Sequence, residues 1–179
     1  RPASASRDIA TPAEMVQLVE EMRKDFDFIL IDSPAGIEQG FKNAVAPADD
    51  IVIVTTPEVS AVRDADRIIG LVEAEEKAPP RLIINRLKPT MVQRGDMLSQ
   101  TDVLDVLAIE LIGIVPDDEA IIISTNKGTP VALHNHSPAG TAYRNIAKRL
   151  LGEDVPFMTL ETQTGFMGWL KNLFRVEGG

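Results

Sequence analysis

The stretch FILIDSPAG, residues 28–36, decides the fold, because four apolar residues from Phe28 to Ile31 lead directly into an aspartate. An unbroken apolar run of this length is typical of a β-strand that is buried on both faces, as strands of parallel sheets are. Three further stretches have the same character: DIVIVTT (50–56), RLIINR (81–86) and ELIGIVP (110–116). We therefore expect four strands of one mostly parallel sheet.

Helical patterns separate the predicted strands. The stretch TPAEMVQLVEEMRKD opens with Thr11 as N-cap, Pro12 at the first helical position and Glu14 placed to close a capping box. Helical spacing also covers residues 60–76, 101–108 and 138–151. Alternating strands and helices with right-handed crossovers predict an α/β fold, with a mostly parallel sheet and helices on both faces.

Length and composition limit the function classes. The 179 residues are 44% hydrophobic and 25% charged, which fits one globular domain, assigned to residues 1–152. The absence of cysteine from the sequence excludes disulfides, thiolate metal sites and a cysteine nucleophile. The net charge of −9 disfavours nucleic acid as a partner, because nucleic-acid binders present a basic face to the phosphates.

The ends of the predicted strands hold the candidate ligand-binding residues, because ligands of parallel α/β sheets bind beyond the carboxyl ends of the strands. Asp32, Asn85 and Pro116 occupy these ends. An aspartate there can hold a magnesium-bound water, and Gly36 lets a backbone N–H approach a phosphate closely. The alternative is that Asp32 only caps the turn into the next helix.

Five stretches, in this order along nearly the whole chain, carry a family resemblance: DSPAGIE (32–38), TTPEVSAVRDADRIIGL (55–71), QRGDMLS (93–99), VPDD (115–118) and LLGEDVPF (150–157). They resemble the MinD type of the ParA–MinD family, which are deviant Walker-A P-loop ATPases that determine the division site. The resemblance implies a P-loop NTPase-like fold with ATP and magnesium as cofactors.

The resemblance also implies roles for individual residues. Asp32 would be the Walker-B aspartate, catalytic and bound to magnesium through water, and Ser33 to Gly36 would form the switch that senses the nucleotide. The other implied nucleotide-binding residues are Asn85 and Arg86, at the adenine edge, and Pro116, Asp117 and Asp118, in the loop beside the base and ribose. Without the family, a strand-end turn and a helix-capping loop explain these positions equally well.

The sequence departs from the family in one respect. No glycine-rich loop ending in Gly-Lys-Thr or Gly-Lys-Ser occurs in it, and NKGTP (126–130) lacks both the leading glycines and a preceding strand. The chain thus resembles the carboxyl-terminal part of a longer protein, and by itself we expect it to bind ATP weakly. Two alternatives stay open: a non-catalytic membrane-associated scaffold and a DNA-partition ATPase relative.

The start of the helix predicted at residues 60–76 is a candidate surface for partners. Glu58, Ser60, Asp64 and Asp66 are expected on its exposed side. The resemblance implies that this region borders an ATP-dependent homodimer interface and the groove where division-inhibitor and topological-regulator proteins of the Min system dock. The alternative is an ordinary solvated helix face.

The last residues predict a membrane-binding segment. A linker is assigned to residues 153–164 and an amphipathic helix to residues 165–176. The helix would carry an apolar stripe with cations beside it: Phe166, Trp169, Leu170, Leu173 and Phe174, then Lys171 and Arg175. Such a segment suits the boundary of an anionic bilayer. We therefore expect a cytoplasmic protein bound peripherally to the inner face of the cell membrane, or its plastid equivalent; the alternative is that the stripe docks on the domain.

Overall fold

The computed structural model describes residues 10–33, 36, 39–134 and 136–159. In chain order its elements are α1 (Pro12–Met22), α2 (Gln39–Val45), β1 (Val52–Thr55), α3 (Val59–Ala74), β2 (Arg81–Leu87), α4 (Pro89–Arg94), α5 (Gln100–Leu107), β3 (Glu110–Pro116), α6 (Glu119–Asn126), a 3₁₀ turn (Val131–Leu133) and α7 (Pro138–Leu150). The α/β class expected from the sequence is confirmed.

The three strands form one parallel sheet in the order β1-β2-β3. Ile53 of β1 lies opposite Leu82 of β2, which lies opposite Leu111 of β3. The β1–β2 connection contains α3, and the β2–β3 connection contains α4 and α5, as parallel neighbours require long crossovers. All three carboxyl ends therefore meet at one edge of the sheet.

Helices cover both faces of this sheet, as predicted. On one face, α3 and α5 pack against β1 and β2 in a cluster formed by Ile53, Val62, Ala65, Ile69, Leu82, Ile84, Leu87, Val103 and Leu107. On the other face, α7 packs against β3 in a second cluster formed by Ile112, Val115, Ala139, Ala142 and Ile146. Strands that contribute to two clusters need apolar residues on both faces, which explains their continuous apolar sequence.

The contact between α7 and β3 depends on a glycine. A Cβ on Gly113 would overlap Cγ1 and Cδ1 of Ile146. Only the missing side chain lets the helix approach the strand this closely. Helix α7 thus packs on β3, and the bond from Ala139 N–H to Asp118 places the start of α7 next to the carboxyl end of β3, which holds candidate ligand-binding residues.

Most predicted elements are confirmed. Thr11 and Glu14 form the expected capping box: Thr11 N–H donates to Glu14 Oε2 at 2.7 Å, and Glu14 N–H donates to Thr11 Oγ1 at 3.3 Å. The helices α3, α5 and α7 and the three strands lie within two residues of their predicted bounds. The short helices α2, α4 and α6 were not identified from the sequence, because none shows a long apolar stripe.

The prediction of a buried strand at residues 28–31 is wrong. The segment belongs to none of the strands, and Phe28 and Leu30 are 68% and 93% exposed. A strand exists only where another strand accepts its hydrogen bonds, and apolar sequence shows a preference for burial without supplying that neighbour. The edge strand β1 also leaves an apolar side chain uncovered, since Val54 is 59% exposed.

None of the helices in the described part of the chain is both long and apolar enough to cross a bilayer. The predicted amphipathic segment, with Phe166, Trp169, Leu170, Lys171, Leu173, Phe174 and Arg175, lies outside the described residues. The predicted division into domain, linker and tail stays a prediction.

Candidate functional site

The ends of β2 and β3 bring two of the predicted motifs together. Leu87 pairs with Pro116 in the register of the sheet, and Asp117 N–H donates to Leu87 O at 3.0 Å. The stretch Asn85–Arg86, which directly precedes Leu87 in β2, therefore lies at the same edge of the sheet as Pro116–Asp118, where ligands of parallel sheets bind. Residues separated by about thirty positions in sequence form one cluster through strand pairing.

Asn85 and Arg86 form an irregularity inside β2. Arg86 has a φ of 58°, in the left-handed region that residues with a side chain rarely adopt. Its N–H donates at 3.0 Å to Oδ1 of Asn85, which is half-buried, and the register between β2 and β3 shifts at this point. The bond fixes the orientation of the Asn85 amide, and its NH₂ end remains a donor suited to an acceptor atom on a ligand. Nothing in the sequence indicated that the backbone of Arg86 would adopt this strained conformation.

Asp117 pairs with a residue that the sequence analysis did not single out. Lys88 Nζ lies 2.7 Å from Asp117 Oδ2, and both side chains are partly exposed. An ion pair this accessible to water contributes little to stability, up to about 1 kcal/mol. It places one positive and one negative charge on the residues that follow the Leu87–Pro116 pairing.

Asp118 holds the starts of two helices. Its Oδ1 accepts a bond from Ala120 N–H at 2.9 Å, which makes it the N-cap of α6. Its Oδ2 accepts from Ser137 Oγ at 2.7 Å and from Ala139 N–H at 3.1 Å, at the start of α7. Ser137 is in turn the N-cap of α7, since its Oγ accepts from Gly140 N–H at 2.9 Å. The helix-capping alternative is thus confirmed for Asp118, and its contact with nucleotide stays a prediction.

The charge of Asp118 is stabilised by these bonds. Burial, the largest single influence, raises the pKa of the carboxyl, but the bonds from Ser137, Ala120 and Ala139 together hold the pKa below its ordinary value of 3.8. The carboxylate is therefore ionised at neutral pH, where it also meets the positive ends of two helix dipoles. Nothing in the local sequence pairs Asp118 with Ser137, nineteen residues away.

Asp32, Ser33 and Gly36, the described residues around the predicted switch, lie outside the sheet. Asp32 and Ser33 are exposed, at the end of the irregular segment that contains Phe28. Gly36 has a φ of 106°, a conformation that glycine adopts without strain. Helix α2 begins at Gln39, so Asp32 is not its N-cap. Whether Asp32 caps the turn that leads to this helix stays a prediction, because residues 34, 35, 37 and 38 lie outside the described part of the chain. Within the described residues no three His, Asp or Glu side chains surround a point where a metal ion could bind.

The predicted partner surface is exposed. Glu58, Ser60, Asp64 and Asp66 all lie on the solvent side of the first turns of α3, whose buried side carries Val62 and Ala65. Glu58 occupies the N-cap position of α3 without a side-chain capping bond. The geometry fits both a docking surface and an ordinary solvated helix face.

Comparison with known proteins places the chain among septum site-determining proteins, although no family model matches it. The MinD protein of Synechocystis is 57% identical over 154 residues, which are 86% of this chain and 58% of that protein. The MinD protein of Bacillus subtilis is 48% identical over 180 residues, 98% of this chain and 67% of that protein. The chain therefore spans between about half and two-thirds of the length of these relatives.

Solved structures agree with the sequence relatives. The Aquifex aeolicus cell division protein MinD matches with a TM-score of 0.79 and 46% identity over 83% of this chain and 64% of that one, and the MinC:MinD complex of the same organism matches with the same TM-score. The Pyrococcus horikoshii MinD complexed with Mg-ADP matches with a TM-score of 0.68 and 25% identity over 79% of this chain and 57% of that one. High identity along most of the chain, together with the shared fold, shows that it belongs to the MinD family of septum site-determining proteins.

Proposed function

We propose that these residues act within a MinD-type ATPase that positions the division site, bound peripherally to the inner face of the cell membrane or of its plastid equivalent. ATP-dependent dimerisation would be coupled to membrane binding, and a partner would stimulate hydrolysis and release. The observation that carries the proposal is the cluster at the ends of β2 and β3, where strand pairing places Leu87, two residues after Asn85, opposite Pro116 and next to Asp117.

The proposed nucleotide contacts follow from the chemistry of this cluster. Asn85, whose carbonyl end is fixed by Arg86 N–H, presents an amide suited to the adenine edge. Pro116 and Asp117 would flank the base and ribose, and Asp118 holds their loop in place through its bonds to α6 and α7. A loop anchored by charge-assisted bonds loses little freedom when a ligand binds.

Asp32, Ser33 and Gly36 are proposed to face the phosphates. The Asp32 carboxylate would orient water bound to magnesium, and Gly36 can offer its N–H to a terminal phosphate without a side chain in the way. Magnesium, when bound, neutralises charge on the phosphates. The chain's own contribution is to hold this ion and to report the state of the phosphate through the backbone of the switch.

The base contact is tested in the full-length protein with Asn85→Ala. Loss of one hydrogen bond to adenine is expected to weaken ATP binding about tenfold and to reduce the preference for ATP over GTP. Gln100→Ala is the control, because Gln100 is an exposed amide at the start of α5. If calorimetric titration gives equal ATP affinities for both variants, Asn85 does not contact the nucleotide.

Membrane binding is proposed for residues 165–176. Phe166, Trp169, Leu170, Leu173 and Phe174 recur at the spacing of one helix face, with Lys171 and Arg175 beside them. One such segment binds weakly, and two on a dimer gain from a high effective concentration.

The dimer dependence is tested by vesicle sedimentation. We expect residues 165–176 fused to a dimeric carrier to sediment with anionic vesicles far better than the same residues fused to a monomeric carrier. Phe166→Glu and Leu170→Glu should abolish sedimentation; equal binding by both carriers contradicts the dimer switch.

The predicted partner surface at the start of α3, formed by Glu58, Ser60, Asp64 and Asp66, is proposed to contact a division-inhibitor partner and to border the homodimer interface. The solved Aquifex complex, in which MinC is bound to MinD, supports a partner of this class. Asp64→Lys and Asp66→Lys should weaken binding of the cognate MinC-type protein at least tenfold if charges there meet the partner. Glu73→Lys, at the exposed far end of the same helix, is the matched control. Equal affinities would favour the solvated-face explanation.

A further inference from the structure

The chain does not leave the domain where α7 ends. Gly152, with a φ of 84°, reverses its direction, and Glu153 N–H and Gly152 N–H donate to Lys148 O and Arg149 O, both at 3.0 Å. This is a Schellman motif, which returns the following residues alongside the helix. Residues 155–158, which we call the strap, run back over α7.

One guanidinium holds the strap. Arg149 Nε donates to Val155 O and Arg149 Nη2 donates to Pro156 O, both at 2.9 Å, and Cζ lies 4.1 Å from the centre of the Phe157 ring. The remaining fork nitrogen, Nη1, donates to Ile112 O of β3 at 2.8 Å. Arginine suits this role because its donors diverge in one plane and its face stacks on an aromatic ring.

Two further observations concern the contacts of the strap and of Arg149. Met158 packs against the cluster formed by Ile112, Val115, Ala139, Ala142 and Ile146. Arg149 is partly buried, and no ion pair found among the described residues involves it. Its charge is therefore directed at main-chain carbonyls and a ring, which are contacts that fix the path of a chain.

We propose that Arg149 is a positioning residue. It holds residues 155–158 against α7 and β3, and so fixes the point from which the chain continues to the C-terminal membrane segment. This inference rests on the membrane binding proposed above. The tether to residue 165 then begins at Thr159 and not at Glu153, so it has half the residues of the predicted linker. Six extended residues span at most about 20 Å, against about 40 Å for twelve. The strap thus keeps the domain close to the bilayer.

The strap itself can be tested without a membrane. Because the chain has no cysteine, Met158→Cys supplies a single thiol whose reaction rate with a disulfide reagent reports whether residue 158 is packed. Adding Arg149→Met should accelerate the reaction on the order of tenfold, since both hydrogen bonds to the strap and the ring contact are lost. Lys148→Met, which removes one positive charge from the adjacent exposed position, should leave the rate unchanged.

The positioning role is tested on anionic vesicles with the full chain. A donor dye on Ala147→Cys, an exposed position on α7, reports distance to acceptor lipids. Arg149→Met should lower energy transfer while Lys148→Met does not, although both lose the same charge. If Arg149→Met fails to fold, Phe157→Ala replaces it. This variant removes the ring, leaves the bond from Arg149 to Ile112, and should also lower energy transfer.

The outcomes separate the strap from the membrane proposal. Equal rates of thiol reaction in all variants contradict the proposal that Arg149 holds residues 155–158. A faster thiol reaction with unchanged energy transfer overturns the positioning role alone. If the unsubstituted chain does not bind vesicles, membrane binding and with it the positioning role fail, while the thiol rates still decide whether Arg149 holds residues 155–158.

Discussion

Replacing Asp118 by alanine removes the side chain that joins the starts of α6 and α7. The bonds from Ala120 N–H and Ala139 N–H are helix-capping bonds, each expected to contribute about 1 kcal/mol. The bond from Ser137 Oγ to the charged Oδ2 adds about 1.5 kcal/mol, and the burial of the carboxylate offsets a part. We expect Asp118→Ala to lower the free energy of unfolding by about 3 kcal/mol and the melting temperature by about 6 to 12 °C.

The effect should depend on pH in a defined direction. The folded chain lowers the pKa of Asp118 below its ordinary value of 3.8, so the unfolded chain takes up a proton first as the pH falls. The stabilisation by Asp118 is therefore complete at pH values above the pKa of the unfolded chain. It is lost as the pH falls through the lower pKa of the folded chain. The difference between the unsubstituted chain and Asp118→Ala should be constant from pH 7 to about 5 and should shrink below about pH 4.

Thermal unfolding followed by circular dichroism, without nucleotide, measures both effects. Asp117→Ala is the matched control, because it removes the same group from the neighbouring position, where only the partly exposed pair with Lys88 is lost. We expect that control to lose less than about 1 kcal/mol. Ser137→Ala combined with Asp118→Ala should cost less than the sum of the two single changes. Equal losses for Asp117→Ala and Asp118→Ala, or an additive double mutant, would refute the double-cap argument.

Three further predictions concern other sites. Gly113→Ala should destabilise the domain by about 1 to 3 kcal/mol, because the new methyl group overlaps Ile146, and chemical denaturation of the double variant with Ile146→Ala should show less than the sum of the separate losses. Ala108→Gly should raise the free energy of unfolding by about 0.5 to 1 kcal/mol, since Ala108 ends α5 with a φ of 50°; a lower melting temperature would contradict this. In the full-length protein, Asp32→Ala should abolish ATP hydrolysis in a phosphate-release assay, whereas unchanged turnover would show that Asp32 does not hold magnesium.

Local chemistry explains which elements were predictable. The capping box of α1 is formed by Thr11 and Glu14, three residues apart, and needs no other part of the molecule. The apolar runs of β1, β2 and β3 were equally clear, because their side chains must be buried on both faces wherever the strands pair. The same reasoning failed at residues 28–31, where the apolar pattern is present but no strand among the described residues pairs with it.

The sequence by itself determined the α/β class, the main helices and the edge of the sheet at which Asn85 and Pro116 would lie, because helix caps and apolar periodicity act over a few residues. Only the tertiary structure decided that Asp118 joins two helices through Ser137, and that Arg149 binds a strap and β3 at once. A hydrogen bond depends on positions in space, and sequence spacing fixes those positions only within a single turn or helix. Contacts between elements follow from packing, as the approach of Ile146 to Gly113 shows.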